Sequence, residues 1–159
     1  MNELVLRNCQ RIQGIKLPLL RQMARHLLTE LLQTAQFEIG IYVVSASEMA
    51  RLNETFLKHP GSTDVITFQY DPPAASPSIH GEIFISIEDA MKQATPFRTS
   101  WQAEVLRYLV HGVLHLKGFD DTTASARKAM KRQENRLVGQ LARMFPVRDL
   151  EIKPRKFRG

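Results

Sequence analysis

Strand-forming and helix-forming segments are segregated along this chain, and that segregation limits the folds open to it. Residues 37–44 (FEIGIYVV), DVITFQY (64–70) and GEIFISI (81–87) are rich in β-branched and aromatic side chains, the composition of strands. Leu4 to Leu6 add a short fourth strand. Helical patterns follow at about 88–95, 100–117 and 123–144, all in the second half. Two earlier helices stand among the strands: one over 18–34 that opens with Pro18, and one running from a Ser47 cap to about Leu57. Proline in a first helical turn forfeits only an amide that would be unpaired anyway. This pattern predicts an α+β domain, a small mixed β-sheet with helices packed on it. DVITFQY and GEIFISI are close enough to pair antiparallel, and DPPAASPSIH between them, with three prolines, is expected as a loop.

The 159 residues suffice for one domain with a real core, and 43% hydrophobic with 24% charged residues is a globular balance. Lys and Arg outnumber Asp and Glu by 22 to 16, for a net charge of +6. That excess favours polyanionic partners, because neutralising each phosphate releases counterions. Cys9 is the only cysteine, which excludes an internal disulfide and a cysteine-based zinc site. The N-terminus does not read as a signal peptide, and no run approaches the roughly 20 apolar residues of a spanning helix. A cytosolic location is the default expectation. Residues 1–145 are expected to form the domain and 146–159 a basic tail, in which Lys153, Arg155, Lys156 and Arg158 are candidate RNA contacts.

The chemistry concentrates in HGVLHLKGFDD, residues 111–121. His111 and His115, four apart, share one face of a helix in the C-terminal half, so both imidazoles can grip one metal ion. Gly118 stands where that helix should stop, since glycine accepts a left-handed C-cap. The turn would return the chain so that Asp121 reaches the same ion. His-x3-His-x2-Gly-x2-Asp follows the extended zincin spacing, whose last position is normally His. Asp120 is a rival ligand, and the Asp120-Asp121-Thr122 run has a second reading as a helix cap, with Thr122 able to cap while Asp121 ligates. Two His and one Asp leave a tetrahedral position for water, the mark of a catalytic zinc site, with one Zn2+ per chain. Proteolytic zincins place Glu directly after the first His. Gly112 stands there instead, so peptide hydrolysis lacks its base, whereas phosphodiester cleavage relies more on metal and cations.

HGVLHLKGFDD resembles the H-G-x-L-H-L-x-G-[YF]-D-H signature of the YbeY-type rRNA maturation factors, bacterial single-strand endoribonucleases. STDVITF (62–68), LNETF (52–56) and GEIFIS (81–86) are similar to further family segments in the same order, so the resemblance spans about residues 37–138. It implies a zinc-dependent hydrolase of ribosomal RNA processing, cytoplasmic and associated with ribosomes. Two departures stand out. The family's third histidine is Asp121 here, and its Arg after the aromatic of L-N-x-x-[YF] is Leu57, followed by Lys58 and His59. Lys58 and His59 are candidate catalytic replacements for that Arg, and Lys58 and Lys117 are candidate RNA contacts. The alternatives are a ribosome-assembly RNA-binding factor with little nuclease activity, or a metal-dependent hydrolase of another substrate. Trp101, Leu106, Leu109 and Val113 form an apolar stripe, expected in the core rather than as a base-stacking platform.

Overall fold

The computed structural model describes residues 2–70 and 78–153. Its elements are β1 (Glu3–Asn8), α1 (Leu17–His26), β2 (Gln36–Val44), α2 (Ala46–Leu57), β3 (Val65–Gln69) and β4 (Ser78–Ser86), then α3 (Ile87–Ala94), α4 (Trp101–Leu116) and α5 (Ala124–Met144). The four strands form one mixed sheet in the order β1-β2-β4-β3. β1, β2 and β4 run parallel, and β3 pairs antiparallel with β4 at the edge, Thr67 opposite Ile83. The expected α+β architecture and the β3–β4 pairing are both present.

Alternation along the strands sorts their side chains onto two faces. Phe37, Ile39, Ile41 and Val43 of β2 join Ile79, Ile83 and Ile85 of β4 in the main core. Tyr42, Val44 and Phe84 point the other way, onto Met49 and Leu52 of α2. α4 is the central helix of the main core: eleven of its sixteen residues are buried, as expected for a helix apolar on most sides. Leu106, Leu109 and Val113 are inside, with Trp101 packed at the margin.

Two glycines let α4 lie close over the sheet. A Cβ on Gly112 would stand 2.7 Å from Ile83 Cγ2, and one on Gly81 would stand 2.6 Å from Leu116 Cδ2. Gly112 therefore faces β4. A glutamate at this position, the base of a proteolytic zincin, has no room here.

Local boundaries differ from expectation where tertiary partners decide them. The helix expected over 18–34 leaves α-geometry at Leu27–Leu31, a π-turn in which Leu32 N–H donates to Leu27 O at 2.9 Å. Ser45, not Ser47, caps α2, its Oγ accepting from Glu48 N–H. Ser78, Ile79 and His80, expected as loop, are strand residues paired with Gln36, Phe37 and Glu38 of β2. The arm expected from residue 146 stays packed as far as Glu151. Val147–Leu150 form a 3-10 turn that buries Leu150, and Lys16 N–H donates to Leu150 O at 2.8 Å. Among the described residues, no helix is long and apolar enough to cross a membrane.

Candidate metal centre

α4 presents His111 and His115 one turn apart, with ring centroids 4.6 Å apart and planes at 76°. Their Nε2 atoms converge to 3.0 Å. The helix then ends as its glycine foretold. Lys117 is the C-cap, Gly118 has φ 105°, Gly118 N–H donates to His115 O and Phe119 N–H to Leu114 O, both at 3.0 Å. These are the two bonds of a Schellman stop. The reversal brings Asp121 Oδ2 to 3.7 Å from His115 Nε2.

Ligand atoms of His111, His115 and Asp121 all lie within 4.8 Å of one another, a group that could hold a metal ion. Zn–N bonds of 2.0–2.1 Å in a tetrahedron require nitrogens about 3.3 Å apart, close to the separation of the imidazoles. Asp120 is engaged elsewhere: its Oδ1 accepts from Thr122 N–H and Oγ1–H, both at 3.2 Å. Thr123, not Thr122, caps α5, its Oγ1 accepting from Ala126 N–H. Neither aspartate is needed as the cap.

Glu134 on α5 completes the arrangement, although nothing local to the histidines announces it. It is 5% exposed. Its Oε2 lies 3.0 Å from His111 Nδ1, and its Oε1 accepts from Arg107 Nη1 at 2.8 Å. Burial alone would push this carboxyl up, but hydrogen bonds from His111 and Arg107, with the charge of Lys131, hold it below the ordinary glutamate range. A carboxylate there requires a proton on His111 Nδ1 and so turns the Nε2 lone pair toward His115, as second partners of metal-binding histidines do. Burial, and next the neighbouring His111, push the His115 imidazole below its ordinary value. Both effects favour the neutral ring that a metal requires.

His111 sits where two cavities meet, and His115 borders one of them. The larger, about 810 Å³, is lined by residues including Glu104, Arg107, Arg127, Lys128 and Glu134. The smaller, about 310 Å³, includes Leu57, Thr63, Thr67 and His115. Asp64, Val65, His111 and Asp121 border both. Asp64, which sequence reasoning passed over inside STDVITF, makes no ion pair among the described residues. Its Oδ1 accepts from Val65 N–H at 2.8 Å.

The other candidates lie apart. Lys58 is the left-handed C-cap of α2, with φ 59°. Lys58 and His59 are exposed, and neither is among the residues lining the two cavities, whereas Leu57 is. Lys117 is half-buried at the end of α4 and borders neither cavity. Lys153 is exposed, and Arg155, Lys156 and Arg158 lie outside the described residues.

The chain is similar to known proteins in sequence and in fold. A family model described as "Endoribonuclease YbeY" matches residues 7–142. The curated "Endoribonuclease YbeY" of Chlamydia pneumoniae is 34% identical over 119 residues, covering 72% of this chain and 75% of that protein. The protein of the same name from Micrococcus luteus is 34% identical over 147 residues, covering 87% and 94%. A solution structure of a Thermotoga maritima protein superposes with a TM-score of 0.65 at 22% identity, covering 96% of this chain and 99% of that one. At that identity it speaks for the fold.

Proposed function

The chain belongs to the YbeY endoribonuclease family, and on that premise we propose that it is a zinc-dependent endoribonuclease that cleaves single-stranded RNA during ribosomal RNA maturation in the cytoplasm. The observation that carries the reading is the grouping of His111, His115 and Asp121, with His111 and Asp121 bordering both cavities and His115 the smaller one. A groove that continues on both sides of its reactive centre accepts the middle of a polymer, which suits internal rather than terminal cleavage.

His111 and His115 would hold the ion through Nε2 and Asp121 through a carboxylate oxygen, nitrogen and oxygen donors that suit zinc. Bound zinc supplies Lewis acidity, offsetting charge on a phosphoryl oxygen and acidifying water. The protein's own groups do the rest. Glu134 keeps His111 protonated at Nδ1 and fixed in orientation. Asp64, beside the histidines and free of ion pairs among the described residues, is the carboxylate placed to accept a proton from the attacking water. The absence of room at Gly112 argues against a peptidase.

A second reading, an RNA-binding assembly factor with little cleavage, draws on Leu57, an apolar side chain lining the smaller cavity. A single-stranded RNA blocked at both ends separates the two. We expect internal cleavage that a chelator stops, zinc restores and His111→Ala abolishes. Binding without cleavage would favour the assembly factor. Cleavage unaffected by both chelator and His111→Ala would refute the site.

A further inference from the structure

The larger cavity has a wall whose chemistry the metal centre leaves unused. Arg127 and Lys128 of α5 precede Lys131 by four and three residues, the spacings of neighbours on a helix surface, and all three line that cavity. Their charges are not equally engaged. Lys131 lies 3.8 Å from Glu134, which is already shared with Arg107. Among the described residues, the Arg127 side chain donates only to a backbone carbonyl, Asp121 O, at 3.2 Å, and Lys128 makes no ion pair. Among the described residues, two exposed cations therefore have no acidic partner on the cavity that His111 and Asp121 border, one of them tied to the backbone of Asp121. Phe97, in the turn between α3 and α4, borders the same cavity and is 68% exposed. An unburied aromatic lining the same cavity as free cations is the combination that holds single-stranded nucleic acid, cations on the backbone and the ring under a base.

We propose that this wall is one arm of the substrate path: Arg127 and Lys128 take phosphates flanking the bond to be cut, and Phe97 stacks a base of the same strand. The inference rests on the reading of the substrate as RNA and adds where the strand lies. Arg132 and Arg136 provide an internal control. They carry the same charge on the same helix, but neither is among the residues lining the cavity, and Arg136 is hydrogen-bonded to Gln133 and Gln140.

The test uses the metal-loaded full chain and a short fluorescent single-stranded RNA with phosphorothioate linkages, with affinity followed by anisotropy across a salt series. Single-strand contacts contribute about 0.7 each to the slope of log affinity against log salt. Arg127→Ala with Lys128→Ala should flatten the slope by about 1.4, while Arg132→Ala with Arg136→Ala should barely change it. Phe97→Ala should weaken binding about fivefold or more, with the slope unchanged and Phe97→Trp restoring affinity. Equal flattening by the two double variants would reduce the wall to net charge and overturn its role, and unchanged affinity in Phe97→Ala would remove the stacking platform. If the unaltered chain binds and cuts RNA but the α5 variant keeps its slope, the strand path is wrong and the nuclease reading stands. If the unaltered chain neither binds nor cuts RNA, the nuclease reading falls and the path with it.

Discussion

Replacing Glu134 with alanine removes a buried carboxylate that joins α5 to the proposed metal helix. Two hydrogen bonds go with it. The bonds from Arg107, at 2.8 Å, and from His111, at 3.0 Å, both end on an ionised carboxylate and contribute about 1.5–3 kcal/mol each. Part of this is returned, because burying a carboxylate is itself costly and Arg107 keeps Asn135 Oδ1 at 2.8 Å and contact with water. The net loss should be about 2–3 kcal/mol, read as a lower urea midpoint with chelator present. Glu134→Gln should lose only about 1 kcal/mol, since its amide oxygen can still accept one of the two bonds. In both variants His111 is no longer forced to carry its proton on Nδ1. Metal affinity, measured by competition with a chelator, should therefore fall about 10- to 100-fold, and the nitrogen NMR shifts of His111 should show the Nε2–H tautomer. Unchanged metal affinity and an unchanged His111 spectrum in Glu134→Gln would show that Glu134 is only a structural tie.

Three further outcomes follow from the same geometry. Gly112→Ala should destabilise the protein by up to about 2 kcal/mol, because an overpacked contact 2.7 Å from Ile83 costs about 1–3 kcal/mol, at least as much as the roughly 1 kcal/mol gained in helix propensity; a raised urea midpoint would contradict the close approach of α4 to β4. Asp121→Ala should weaken zinc binding in chelator competition, while Asp120→Ala, which breaks only a local turn, should leave it intact; the reverse order would make Asp120 the ligand. Leu57→Arg places a guanidinium at the smaller cavity and should raise RNA cleavage, whereas Lys58→Ala, on a residue outside both cavities, should not lower it; a loss in Lys58→Ala would return that lysine to the site.

What could be read from the sequence was what local rules govern. The four-residue spacing of His111 and His115 fixes their common face whatever packs against the helix, and Gly118 ends it through a conformation set by one residue. At Ser78–His80 the nearby prolines speak for a loop, while the partner that makes them strand is Gln36–Glu38, some forty residues away. The π-turn at Leu27–Leu31 escaped for a related reason: its apolar residues keep a helical pattern while the backbone changes its hydrogen bonding.

Glu134 marks the boundary between the two kinds of information, and a signal for it was present. On α5 the buried residues are Met130, Glu134, Leu137 and Leu141, an apolar stripe at helical spacing with one acid inside it. An acid in a core-facing stripe must find a partner, because an unpaired buried carboxylate is too costly to keep. The sequence thus declares that Glu134 is paired, but not with what. The answer depends on how α5 crosses α4, and it is the fold that brings this carboxylate to His111 Nδ1. The same crossing sets the neighbouring face of α5, with Arg127 and Lys128, along the groove. One helix therefore both orients a proposed ligand from behind and supplies cations in front. A change that shifted α5 against α4 should disturb metal affinity and RNA binding together, whereas changes confined to either face should separate them.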